Sequence, residues 1–317
     1  MTRTAVILDV DTGIDDAYAL LFAARHPKLN LLGVTCVDGN TNVDQVVANT
    51  LLVLDASGAG DVPVARGAVR PLLGRSHYAE YVHGADGMGD LGLGPSSRKV
   101  DPRSAVELLR DLIEASPTPV TLIPLAPLTN IALFLRAFPE TAKKLQGITL
   151  MGGSASAGNA TPAAEFNIWH DPEAAAIVFQ SGVPITMYGL DVFMRPGITS
   201  GEAELLKQSG DACAFFAGSL VSAFIERIGS PVTIGDAGAV IAVVAPHLIT
   251  YKKFDVVVDT SSGPARGQTI CDRRPPLELD IEPLRLEDSA SVDVALDIDV
   301  EAMRQLWLST VDSQWNN

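Results

Sequence analysis

The chain has 317 residues, of which 47% are apolar and 19% charged, and its net charge is −15. That composition excludes a disordered chain, and the acidic excess argues against nucleic acid or anionic membrane as partners. Three scattered cysteines, Cys36, Cys213 and Cys271, make no C-x-x-C pair and read as reduced thiols of a cytoplasmic protein. Ala5–Leu8 is too short for a signal peptide, and the longest apolar stretch, Ala237–Ala245, is about half a membrane span.

Short apolar runs alternate with helical patterns along the chain. Thr4–Leu8 reads as a buried strand, and Asp15–His26 as a helix with Asp residues in its first turn and Pro27 past its end. Leu31–Val37 and Val62–Ala65 read as strands around a helix at Asn42–Ser57. A helix at Ser104–Glu114, a strand at Pro119–Pro124 and a helix from about Leu128 come next. Strands Gly147–Met151 and Pro184–Leu190 enclose a helix that starts at Asp171. Gly201–His247 reads as mostly helical, and Phe254–Thr260 and Ser291–Ile298 as late strands before a last helix, Val300–Leu308. Continuous apolar strands alternating with helices predict one α/β domain over residues 1–317. Its sheet is expected to be open, mostly parallel and Rossmann-like, with helices on both faces and extra helices in the C-terminal third. Ligands of such sheets bind beyond the carboxyl ends of the strands.

One of those ends carries an unusual charge density. Asp9, Asp11, Asp15 and Asp16 fall within eight positions with no Lys or Arg between them. A helix N-terminus explains one or two of them, but four call for a hard divalent cation. An EF-hand is excluded, because Ile14 stands where its Gly is needed and Leu20 where its Glu is needed. The order D-x-D-T-G also differs from the D-x-D-G-T of haloacid-dehalogenase-type phosphatases, which leaves a metal-dependent phosphatase as a secondary reading.

Asn40 follows the second strand at the same sheet end, where a turn Asn is the plain alternative. His83 opens a glycine-rich stretch, His83–Arg98, that contains a formal G-x-G-x-x-G at Gly87–Gly92. No strand leads into it and no helix leaves it, so it reads as a mobile loop over a site rather than a dinucleotide fingerprint. Leu125 follows another strand, where its carbonyl is free to face the rim. Asn159, Glu165 and Asn167 are hydroxyl-binding types without a local partner, whereas Asp171 reads as a helix cap and Asp236, taken alone, also as one.

Together these segments resemble the inosine–uridine-preferring nucleoside hydrolase family. The resemblance runs from Ile7 to about Asp272. It rests on D-x-D-x-G-x-D-D at Asp9–Asp16, then in order Gly39-Asn40, HGADGMG, PLTNIA, LMGG, GNATPAAEFN, DPEAA and RGQTICD. It implies a Ca²⁺-dependent enzyme that releases the base from ribonucleosides. By position, Asp11, Asp16, the Leu125 carbonyl and Asp236 match Ca²⁺ ligands, and Asp11 also matches the general base that activates water. Asp15, Asn40, Asn159, Glu165, Asn167 and Asp236 match residues that grip ribose hydroxyls. His83, Met151 and Phe166 match positions near the substrate. A homodimer or homotetramer is implied as well.

Two positions depart from the family. Many members carry His before the last Asp ligand as proton donor to the leaving base, whereas this chain has Gly235. His83, Tyr81, Tyr188 or water must then serve instead. A ribonucleoside-binding protein without turnover is the corresponding alternative. Asp38 stands where the family commonly has an apolar residue.

Overall fold

The run from Ala5 to Val10 is shut off from solvent along its whole length, and the rest of the fold is arranged around it. The computed structural model describes residues 3–274 and 287–316. Eleven strands are present among them: β1 (Thr4–Val10), β2 (Leu29–Cys36), β3 (Val64–Arg66), β4 (Val120–Pro124), β5 (Leu145–Met151), β6 (Ile185–Tyr188), β7 (Gly197–Ile198), β8 (Val232–Thr233), β9 (Ile249–Val258), β10 (Thr269–Cys271) and β11 (Ala290–Ile298). Nine of them form one sheet in the order β10-β9-β11-β6-β5-β4-β1-β2-β3, and β7 pairs with β8 in a separate ribbon. From β3 to β11 across the sheet every pairing is parallel. Within this sheet only the pairings that involve β9 are antiparallel, and the separate β7–β8 ribbon is antiparallel too. This is the single, mostly parallel α/β fold expected.

Apolar clusters cover both faces. One packs Val10, Ile14, Tyr18, Phe22 and Trp307, and the other Leu122, Phe134, Phe179 and Val292. The indole of Trp307 meets Tyr18 edge-on at 5.4 Å between ring centroids and donates its N–H to the Tyr18 carbonyl at 3.2 Å. Burying these large side chains contributes roughly 1.5–3 kcal/mol each.

Three elements differ from the sequence reading. β1 continues past Leu8 to Val10, which takes Asp9 into the strand. β9 begins at Ile249 rather than Phe254, because its first half is mostly exposed and polar and lies on an antiparallel edge paired with β11 alone. β8 interrupts the helical region between Ala212–Ile228 and Ala237–Val244, where it pairs with β7, which precedes the helix Ser200–Gln208.

Chain order changes direction at β1. β2 and β3 lie to one side of it, and β4, β5 and β6 to the other, which makes the β1/β4 boundary the topological switch point. Asp9 of β1 sits opposite Pro124 of β4, and the Leu125 N–H donates to the Asp9 carbonyl at 2.8 Å. Asp11 and Leu125 therefore leave neighbouring strands side by side.

Candidate active site

A cleft of about 290 Å³ opens at this switch point. It is lined by Asp11, Asp15, Asn40, His83, Leu125, Met151, Asn159, Glu165, Phe166, Asn167 and Asp236, which are all of the expected site residues except Asp16. Asp16 is fully buried just behind the wall.

The helix Ile14–Arg25 begins directly after Asp11-Thr12-Gly13, so its first turn places Asp15 and Asp16 beside the β1 end. Asp16 accepts N–H bonds from Gly13 at 2.9 Å and Asp11 at 3.3 Å, and one from the Asn40 side chain at 3.3 Å. The Asn40 backbone N–H donates to Asp11 Oδ2 at 2.7 Å. Gly39 is needed for this approach: a Cβ there would stand 2.1 Å from Asp11 Oδ2. The other oxygen, Asp11 Oδ1, is buried and has no partner.

Asp236 arrives from the far end of the chain, ahead of the helix Ala237–Val244. Its carboxylate makes no capping bond, so the plain reading of Asp236 as a helix cap does not hold. Carboxylate oxygens of Asp15, Asp16 and Asp236 instead lie within 4.8 Å of one another. Asp15, expected on the sugar side, thus joins the acidic cluster, and Asp11 lies alongside it. Burial and mutual repulsion raise Asp11, Asp16 and Asp236 well above the usual carboxylate range. No Lys or Arg among the described residues pairs with any of the three. Buried like charges, a partnerless oxygen and all-oxygen donors suit a hard divalent cation.

The opposite wall comes from the segment after β5. Glu165 accepts N–H bonds from Gly153 and Asn167 at 2.9 Å and from Ile168 at 3.1 Å, and so starts the helix Phe166–His170. Burial still pushes its carboxyl up to about 7. Asn167 donates from its side chain to the Leu125 carbonyl at 2.8 Å, and Asn159 Oδ1 accepts the Phe166 N–H at 2.9 Å. Asp171 caps the next helix, as expected, by accepting the Ala174 N–H.

His83 closes a short helix, Glu80–His83, and is buried. Its Nδ1 accepts the Ile14 N–H at 3.3 Å, which leaves Nε2–H as the donor of the neutral ring. Burial lowers its pKa. The residues after it do not line the cleft. Gly87 packs towards Asn49 and Thr12, and Gly89 towards Ala223 of the helix Ala212–Ile228. The glycine-rich stretch therefore supports His83 from behind instead of covering the site. Tyr188 is also displaced from the site: it is fully buried and wedged under Gly238, away from the cleft.

Sequence reasoning missed the apolar end of the cleft, formed by Val82, Phe193, Met194, Phe224 and Ile228. Such residues look like ordinary helix and loop side chains: Met194 and Ile228 are exposed (64% and 49%), whereas Phe193 and Phe224 are buried and only the fold turns them towards the cleft. Phe193 bears directly on Gly235. Gly235 has φ +51°, and a Cβ there would meet Asp15 Cβ at 2.8 Å and Phe193 Cζ at 2.9 Å. The Phe193 ring occupies the space that a side chain at 235 would enter.

The model of the family described as inosine-uridine preferring nucleoside hydrolase matches residues 6–305. The chain belongs to this nucleoside hydrolase family. It is 41% identical over 276 residues to a pyrimidine-specific ribonucleoside hydrolase, RihA, of Shewanella sp. (strain MR-7), a match covering 84% of this chain and 86% of the relative. It is 36% identical over 279 residues to the pyrimidine-specific ribonucleoside hydrolase RihB of Escherichia coli O17:K52:H18, covering 86% and 88%. Among solved structures, a plant nucleoside hydrolase superposes with TM-score 0.90 at 30% identity, and a purine-preferring ribonucleoside hydrolase from Gardnerella vaginalis with 0.89 at 30%. Each of these two covers 98% of this chain and 99% of the other. As a nucleoside hydrolase the chain is an N-glycosyl hydrolase. None of its described helices is long and apolar enough to cross a membrane.

Proposed function

We propose that this nucleoside hydrolase is a Ca²⁺-dependent N-ribohydrolase that prefers pyrimidine ribonucleosides. The observation that carries the Ca²⁺ dependence is the acidic cluster at the switch point, in which no Lys or Arg among the described residues pairs with Asp11, Asp16 or Asp236 and Asp11 Oδ1 lacks a partner. Asp11, Asp16, Asp236 and the Leu125 carbonyl would hold the ion, and Asp15 lies close enough to take part. When bound, Ca²⁺ supplies a fixed positive charge that acidifies water beside it.

The protein's own groups then divide the work. Asn40 fixes one oxygen of Asp11, and the free Oδ1 takes the proton of the attacking water. The anomeric carbon passes through an oxocarbenium-like state, and the surrounding carboxylates stabilise that charge. Asp15, Asn40, Asn159, Glu165 and Asn167 present oxygens and amides to the ribose hydroxyls. At the apolar end, the neutral His83 offers Nε2–H as a hydrogen bond to the departing base, which leaves as an anion and takes its proton from water, since Gly235 has no side chain and Tyr81 is 75% exposed at the rim. The pyrimidine preference rests on the names of the relatives at 36–41% identity. Assembly as a homodimer or homotetramer and a cytoplasmic location belong to the same reading.

The phosphatase alternative lacks a nucleophile, because Asp9 is 1% exposed and bonded to Thr35 and Asn130. The test is base release from uridine, cytidine, inosine and adenosine, before and after chelation, with Ca²⁺ add-back. Uridine and cytidine are expected to lead. Full activity in chelator would overturn the Ca²⁺ dependence, and faster release from inosine would overturn the preference.

A further inference from the structure

Asp38 does not face the cleft. It is buried below the loop that follows β2, where its Oδ1 accepts the Tyr78 hydroxyl at 3.2 Å. Its Oδ2 lies 3.7 Å from His170 Nε2, and the two side chains are 2% and 0% exposed. Neither Asp38 Oδ2 nor either ring nitrogen of His170 has a hydrogen-bond partner. Buried polar atoms are nearly always paired, and this gap exceeds an N–H···O bond by under ~1 Å. A small turn of either side chain closes it, with His170 Nε2–H donating to the carboxylate.

The pair joins two segments that have no sequence connection but serve one cleft. Asp38 is two residues from Asn40, whose N–H seats Asp11 Oδ2 at 2.7 Å. His170 ends the same short helix whose Asn167 holds the Leu125 carbonyl at 2.8 Å. The Tyr78 segment is tied into the same junction, since the Ala79 N–H donates to the Asn40 carbonyl at 3.0 Å. It leads directly into the helix that carries His83.

We propose that Asp38 and His170 are positioning residues: a buried clamp, steadied by Tyr78, that fixes the Asn40 loop against the Phe166–His170 helix and so sets Asp11 and the Leu125 carbonyl. The kinetic arm of this inference rests on the hydrolysis proposed above, and the structural arm does not. The test compares Asp38→Val, His170→Val, the double variant and His170→Gln. Hydrogen exchange is read at residues 38–41 and 166–170, and kcat and KM on the best ribonucleoside.

Each single Val variant is expected to speed exchange in the partner's segment as well as its own. It lowers kcat by ~10–100-fold with a smaller change in KM, the usual scale for groups that orient ligating side chains. The double variant loses no more than the worse single one, because both remove one interaction. His170→Gln, which keeps an N–H donor, restores most of the rate and keeps the test open should the Val variants misfold. Exchange confined to the mutated segment, or additive losses in kcat/KM, would overturn the clamp. If the wild type releases no base from any ribonucleoside, the hydrolysis reading fails, and the exchange arm alone decides the clamp.

Discussion

Gly235→His restores the side chain that many family members carry and tests the account of why this chain lacks it. At φ +51° a non-glycine residue costs about 1 kcal/mol or more. The new Cβ would also stand 2.8 Å from Asp15 Cβ and 2.9 Å from Phe193 Cζ. Neither atom yields freely. Asp15 is held in the first turn of its helix, and Thr233 binds both the Gly235 N–H at 2.9 Å and the Phe193 carbonyl at 2.5 Å. Overpacking of this kind costs about 1–3 kcal/mol, giving roughly 2–4 kcal/mol in all. For 317 residues the unfolding entropy is about 0.7 kcal/mol/K, so the melting temperature should fall by roughly 3–6 °C. Adding Phe193→Ala removes the ring that blocks the site. The double variant should then be less destabilised than the sum of the single ones by ~1 kcal/mol or more. With room to reach the leaving base, the imidazole should also raise the rate on inosine relative to uridine. Calorimetric melts and the two initial rates measure all of this. A Gly235→His protein that melts with the wild type, or strict additivity in the double variant, would refute the steric argument.

Asp11→Ala should cut kcat by at least ~10³-fold while melting at or above the wild-type temperature, because it removes both the proposed base and a repelling charge; near-normal turnover would take Asp11 out of that role. The metal-free protein should lose stability as pH rises from about 4 to about 7. Its buried carboxyls hold protons that the unfolded chain has released, and moving Asp9 alone from 3.8 to about 7 corresponds to roughly 4 kcal/mol against its ionised form. Ca²⁺ at ~100 times its Kd should add about 2.7 kcal/mol and flatten that fall, as read by melts across pH with and without chelator. 2′-Deoxyuridine should be hydrolysed ~10⁴-fold less efficiently than uridine, since the absent hydroxyl leaves buried polar groups unpaired; comparable kcat/KM values would contradict the ribose contacts.

The sheet and the acidic wall were legible because their signals are local. Continuous apolar strands announce burial on both faces, and carboxylates crowded into Asp9–Asp16 announce a charge problem that helix capping alone cannot solve. What escaped the sequence depends on distant juxtaposition. Taken alone, Asp236 looked like a cap because its neighbourhood in sequence is a helix start; only the family resemblance pointed to the cluster, and the fold shows it spending no hydrogen bond on the helix. Phe193 and Gly235 are 42 residues apart, and neither suggests the other until the ring and the missing Cβ share one space. The glycine-rich stretch was misplaced for a related reason: glycine runs signal backbone freedom without saying which side of a site they occupy. Asp38 and His170 lie on separate elements, so their pairing had no period or motif to reveal it.

Five buried carboxylates, Asp9, Asp11, Asp16, Glu165 and Asp236, can be sorted by how many donors the fold supplies to each. Glu165 accepts three backbone N–H bonds, and Asp16 accepts two plus an amide. Asp9 accepts from Thr35 at 2.5 Å and Asn130 at 2.7 Å, and that amide also reaches the Cys36 carbonyl, so Asp9 ties β1 to β2 behind the cleft. Asp11 receives a single donor on one oxygen, and no donor among the described residues reaches Asp236. Donors lower the cost of an ionised carboxylate, so the supply ranks these groups by how far the protein alone can sustain their charge. Asp11 and Asp236 fall at the bottom, on the cleft side, where charge must be met from outside the chain. A variant that gave Asp236 an internal donor would therefore be expected to stabilise the metal-free protein while weakening Ca²⁺ binding, and a variant that stabilised both states equally would show that the deficit has no part in holding the ion.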